Sequence, residues 1–137
     1  MADSRQHFFV YGTLKPGYRG FHQFCQAHNP HIQPAQTSGR IYHLPQAGYP
    51  AMTKESGRVR GILLIFENVP GLMATLDDYE GYNPQAAPDQ NHYQRIWQRV
   101  WSLSGADLGG AWVYVMGLER VKREHGQWLP NGEWPKI

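Results

Sequence analysis

The run His7-Phe8-Phe9-Val10-Tyr11, followed by Gly12-Thr13-Leu14-Lys15-Pro16-Gly17, decides how this chain is read. It is short, densely apolar and closed by a glycine, which describes a buried first strand ending in a turn. Where a chain leaves such a strand, successive N–H groups can point into one space. The amides of Tyr11, Gly12, Thr13 and Leu14 would then form a nest of fixed dipoles suited to a carboxylate or an oxyanion. Gly12 would let a ligand approach the main chain closely. The plainer reading is a strand-to-loop turn, with Thr13 and Lys15-Pro16-Gly17 supplying turn chemistry.

Working outward, residues 39–44 (GRIYHL) and 59–66 (VRGILLIF) read as further strands, joined by an ordered loop that contains GYPAM at 48–52. After Pro70, Leu72, Leu76 and Tyr79 recur at the spacing of one helix face, and Gly81 marks the end of a helix over 71–80. Residues 93–103 (YQRIWQRVWSL) are rich in aromatic and β-branched types and read as a long strand. Turn residues at 105–110 and an apolar run at 111–116 complete a hairpin with a loop longer than two residues. A second helix is expected around 21–28, and the tail from 117 shows no clear period. The sum is a single α+β domain over 1–137, with about five strands in a small, largely antiparallel sheet, open or closed, and few helices.

Composition narrows the function classes. A chain of 137 residues with 5 Trp, 8 Tyr and 5 Phe can build a core without disulfides or a structural metal. The net charge of +2 is too small to imply a phosphate-binding surface. Cys25 is the sole cysteine, which excludes an intramolecular disulfide and fits a reducing, cytoplasmic setting. No apolar stretch approaches the roughly 20 residues of a membrane helix. The seven histidines include no i, i+4 pair, and Cys25 has no cysteine partner, so no metal site is expected.

Glu80 is the candidate for acid–base chemistry. With Gly81 as the cap it lies at the negative end of the helix macrodipole. Asp77 stands three residues earlier and Asp78 two, adding like charge. Both effects, and any burial beneath Tyr79 or Tyr82, would raise its pKa from about 4.3 toward neutrality, as a general base requires. The plainer reading is a solvated acidic helix end. Arg95, Trp97, Arg99 and Trp101 alternate along one strand. They describe either a single-strand nucleic-acid platform or a half-buried strand whose arginine stems cover aromatic surface.

Taken in order, FVYGTLKPG at 9–17, GYPAM at 48–52, LDDYEGY at 76–82, Tyr93 with Arg95, and AWVYV at 111–115 resemble the gamma-glutamylcyclotransferase superfamily. The likeness is to its small gamma-glutamylamine cyclotransferase-like members, and LPNGEW at 129–134 resembles their Gly-acid-Trp ending. The resemblance implies a five-stranded barrel-like fold with Glu80 as catalytic acid/base. It implies that the backbone amides of Tyr11, Gly12, Thr13 and Leu14 hold the glutamyl group, and that Tyr114 lines the pocket. The implied reaction is attack of a substrate's own α-amine on its γ-carbonyl, releasing 5-oxoproline and an amine without a cofactor. The YGTLKPG loop differs from the longer YGSNL type of glutathione-related members and is closer to members that act on gamma-glutamylamines or have no assigned substrate, which disfavours glutathione. The expected partner is a small molecule, with neither nucleic acid nor membrane. The alternatives are a catalytically silent module that binds a small ligand in the same cavity and a barrel that binds single strands.

Overall fold

The computed structural model describes residues 5–135. β1 (Gln6–Val10) leads through a loop to α1 (Arg19–Phe24) and a 3-10 turn at Gln26–His28. Two long strands follow, β2 (His31–Leu44) and β3 (Tyr49–Phe66), then α2 (Leu72–Tyr79) and a 3-10 turn at Pro88–Gln90. β4 (Gln94–Ser102), β5 (Asp107–Val115), α3 (Leu118–Arg123) and the short β6 (Gln127–Trp128) complete the order.

The strands run β3-β1-β5-β4-β2-β6 across the sheet, and β2 pairs a second time with β3. That second pairing closes five strands into a barrel and leaves β6 as an addition on β2. Only β1 with β5 is parallel, so the barrel is mixed.

Closure explains why the first strand lacks a polar face. Phe9 joins a buried cluster drawn from all five barrel strands, with Ile41, Met52, Leu63, Val100 and Val113. Phe8 and Val10 face the opposite way, into a second cluster with Phe21 of α1, Leu72 and Leu76 of α2 and Val121 of α3. A strand covered on both faces reads as continuous apolar sequence. β2 and β3 bend together near Gly39, where the register shifts between Ser38 and Arg40. Gly39 has φ of 146°, and a Cβ there would lie 2.6 Å from the Thr53 carbonyl.

Four expectations change. GYPAM is not a loop: Tyr49, Pro50, Ala51 and Met52 pair with Leu44, His43, Tyr42 and Ile41. The turn is confined to residues 45–48, because the barrel extends the β2–β3 ladder past the Gly and Pro signals. In the second hairpin only residues 103–106 form the turn, and Asp107 through Gly110 already belong to β5. Glycine is needed there by packing, since a Cβ on Gly110 would meet the Trp97 ring at 2.3 Å. The tail contains α3, whose six residues are too few to show a period. The helix expected around 21–28 is divided into α1 and the 3-10 turn. Among the described residues, no helix is long and apolar enough to cross a membrane.

Candidate active site

The strand-to-helix loop at one end of β1 and the C-terminal end of α2 face each other across a cavity of about 270 Å³. Tyr11, Gly12, Thr13, Leu14, Glu80 and Tyr114 all line it. A volume near the low end of the ligand-pocket range of roughly 300–1,000 Å³ suits a small molecule.

The loop is held from several sides. Lys15 N–H donates to Gly12 O, and the amides of Gly20 and Phe21 both donate to Thr13 O. Thr13 Oγ1 lies 2.8 Å from Tyr79 Oη, tying the loop to α2. Lys15 Nζ donates to the Trp134 carbonyl, and Trp134 packs on Tyr18 with ring centroids 5.5 Å apart. Pro50 fixes the approach to Gly12, where a Cβ would stand 2.7 Å from Pro50 Cγ. Tyr93 Oη in turn donates to Pro50 O at 2.7 Å. Among the described residues, none accepts a hydrogen bond from the amides of Gly12, Thr13 or Leu14. These three amides are thus free to serve as donors, which is what a nest of fixed dipoles requires.

α2 ends as the sequence indicates. Gly81 has φ of 67°, its N–H donates to Asp78 O, and Tyr82 N–H donates to Asp77 O. This is the paired-bond glycine termination of helices. Glu80 itself has ψ of 0°, so the chain leaves the helical path after it, and its side chain lines the cavity. Burial pushes the Glu80 carboxyl up to about 7. The expected cause is therefore corrected: desolvation raises this group, not the charge of Asp77. The Asp77 carboxylate points instead to β4 and β5, where Arg95 Nε, Arg95 Nη2 and Tyr114 Oη donate to it.

The tyrosines around Glu80 are kept neutral. Burial first, and then the Glu80 charge, pushes Tyr11 well up from its ordinary value. Burial is also the leading cause at Tyr93, Tyr114 and Tyr49. Tyr11 Oη donates to Tyr114 O at 2.6 Å and accepts from Met52 N–H at 3.2 Å. Thus Tyr11 and Tyr114 contribute walls and structure, with their hydroxyls committed to other partners.

Sequence reasoning did not name Arg19 or His92, and it named Asp78 only as a charge beside Glu80 and Tyr49 only within GYPAM; all four line the cavity. Arg19 carried a usable signal, a cation directly after the loop motif. His92 carried none, since it reaches the cavity by packing its ring on Gly81 and donating N–H to Gly81 O. The alternating Arg95, Trp97, Arg99 and Trp101 make contacts within the chain. Arg95 lies over Trp112 and Tyr82, Trp97 packs edge-on against Trp112, Arg99 pairs with Asp107, and Arg58 lies over Trp101.

A family model described as gamma-glutamyl cyclotransferase, AIG2-like, matches residues 8–136. Several solved structures share the fold. YkqA from Bacillus subtilis aligns with a TM-score of 0.64 at 21% identity, over 95% of this chain and 39% of that one. The chain thus spans well under half of YkqA. An AIG2-like protein from Mus musculus aligns with a TM-score of 0.61 at 23% identity, over 82% of this chain and 77% of that one. The Arabidopsis thaliana protein At3g28950.1 gives 0.64 at 22%, over 91% and 70%. No curated protein sequence matches the chain.

Proposed function

This chain belongs to the AIG2-like gamma-glutamyl cyclotransferase family, and we propose that it cleaves a gamma-glutamyl amide by internal cyclisation, with Glu80 as acid/base. One observation carries the reading. A carboxyl pushed to about 7 shares a small cavity with loop amides that have no acceptor among the described residues.

The chemistry follows from proton bookkeeping. The substrate's α-ammonium cannot attack until it loses a proton, and a carboxylate of near-neutral pKa accepts it without binding it too firmly. The freed amine adds to the γ-carbon, and charge builds on the γ-oxygen. In this reading the N–H groups of Gly12, Thr13 and Leu14 receive that charge, at no cost of reorganisation. The C–N bond to the leaving amine then breaks. In all, two protons pass from the attacking nitrogen to the departing one, and Glu80 can carry each in turn. The products are 5-oxoproline and an amine. Because nucleophile and electrophile belong to one molecule, much of the catalytic task is to hold a ring-forming conformer.

The short loop between Gly12 and Gly17 supports a gamma-glutamylamine as substrate in preference to glutathione. The test is mass-spectrometric detection of 5-oxoproline from a panel of gamma-glutamylamines, gamma-glutamyl dipeptides and glutathione, using the wild type and Glu80→Gln. The wild type is expected to form product from the amines. The variant, correctly folded, is expected to lose about 100- to 10,000-fold in turnover. Full activity in Glu80→Gln would overturn the assignment.

A further inference from the structure

The cavity is electrically two-sided. Both of its carboxyl groups, Asp78 and Glu80, come from the C-terminal end of α2. Arg19, the first residue of α1, is its only Arg or Lys among the described residues. The guanidinium of Arg19 makes no ion pair with any described residue, and its charge is felt at the Tyr49 hydroxyl on the cavity wall. Exposed arginines are common and need no partner. This one differs in that its backbone is seated on the loop that carries the unpaired amides.

That seating is tight. The amides of Gly20 and Phe21, the next two residues, both donate to Thr13 O. A Cβ on Gly20 would lie 2.8 Å from the same oxygen and 3.0 Å from Tyr79 Oη, so only glycine lets α1 start this close to the loop. Contact between Phe24 and Tyr79, with centroids 4.9 Å apart, holds α1 against α2. The backbone from which Arg19 projects is thereby fixed in relation to both the amides and the acidic bank.

We propose that Arg19 recognises the α-carboxylate of the substrate's glutamyl head, which makes it a specificity-determining residue of the cavity; the inference rests on the cyclotransferase reading. The α-carbon of a gamma-glutamyl group carries an ammonium and a carboxylate side by side. The ammonium must stand at Glu80 to give up its proton. The carboxylate then needs a cation on another wall, because the acidic bank repels it. The loop amides are occupied by the γ-oxygen as its charge grows. Arg19 is the cation the cavity supplies, and its planar fork matches a carboxylate with two parallel donors.

The experiment measures 5-oxoproline or its carboxamide from two substrates, gamma-glutamyl ethylamide and the same compound with its α-carboxylate replaced by a carboxamide. Neither leaving group carries a charge. Arg19→Gln is expected to raise KM for the carboxylate substrate about 10- to 100-fold, the worth of a hydrogen-bonded charge. kcat changes less, and the carboxamide substrate is handled alike by both proteins. Arg19→Lys restores part of the loss. Equal losses on both substrates would overturn the proposal. So would normal kinetics on the ethylamide with a loss confined to gamma-glutamyl-glycine, since Arg19 would then be reading the leaving group. Should the wild type form no product, titration calorimetry with the ethylamide decides. Tighter binding to the wild type than to Arg19→Gln, with the carboxamide indifferent, supports the carboxylate site while the reaction reading fails. Equal binding of the ethylamide to both proteins overturns the site.

Discussion

Arg95 grips Asp77 with two donors, Nε to Oδ1 at 2.8 Å and Nη2 to Oδ2 at 3.3 Å, while its guanidinium lies between the rings of Trp112 and Tyr82. The pair is nearly enclosed, with side chains 14% and 10% exposed. It fastens the last turn of α2 to β4. Tyr114 Oη extends the link by donating to Asp77 Oδ1, and Tyr11 Oη donates to Tyr114 O. The helix end that presents Glu80 is therefore joined through Asp77 and Tyr114 to the start of the loop that presents the amides.

Breaking this pair from one side should be costly. Arg95→Met keeps much of the stem volume but leaves the Asp77 carboxylate buried with one remaining donor. A loss of about 3–5 kcal/mol in urea denaturation is expected, as for other buried charges deprived of a partner. The double variant Asp77→Asn with Arg95→Met should recover part of that loss, because no unpaired charge remains. Strict additivity of the two single changes would show that the two residues are energetically independent.

Glu80 should reduce stability at neutral and higher pH. Its folded pKa of about 7 lies above the ordinary carboxylate value, so between roughly pH 4.5 and 7 the folded state binds more proton than the unfolded one. Stability from this group is complete below the unfolded value and is lost as pH rises through the folded one. Glu80→Gln is therefore expected to raise the unfolding free energy at pH 8 by up to about 3 kcal/mol, with the gain vanishing near pH 4. Thermal melts of both proteins across this range check the prediction. An equal gain at both ends would mean that ionisation is not its source.

Gly12 should fail as alanine for a steric reason that can be reversed. The added methyl meets Pro50 Cγ at 2.7 Å and would push the loop away from its place. Displacement near 1 Å at reacting groups can cost about 100-fold in rate, and kcat/KM should fall by that order in Gly12→Ala. Adding Pro50→Ala removes the opposing ring atoms and should return a large part of the activity. No recovery in the double variant would place the fault in the glycine's backbone freedom and not in this contact.

The chain's last described aromatic residue should matter through the loop. Trp134 packs on Tyr18, donates Nε1–H to His43 Nδ1 at 3.0 Å and accepts from Lys15 Nζ through its carbonyl. Trp134→Ala is expected to lower stability by about 3–5 kcal/mol and to lower 5-oxoproline formation as well. Trp134→Phe keeps the ring on Tyr18 and should lie closer to the wild type in both. If differential scanning calorimetry showed no loss for Trp134→Ala, the tail would not be holding the loop.

The local features were legible because they depend on residues close in sequence. HFFVY followed by Gly12 gives a buried strand and turn, since the four consecutive apolar positions Phe8 to Tyr11 cannot be left in water. Leu72, Leu76 and Tyr79 with Gly81 give a helix and its stop, since spacing and a left-handed glycine are local properties. The ordered motifs also pointed to the family before any geometry was known. Other features depended on partners far along the chain. GYPAM forms strand because β2 supplies its ladder, overriding Gly and Pro. Asp77 and Glu80 sit three residues apart yet part company. Arg95, 18 residues on, claims the first, while the second lines a cavity where burial alone lifts its pKa. Arg19 meets that cavity only because α1 docks on Thr13. The sequence by itself determined which segments are apolar and which carboxyl is the candidate for acid–base chemistry. Barrel closure decided which carboxyl is desolvated and which is paired, because desolvation and pairing depend on what the rest of the chain brings within a few ångströms.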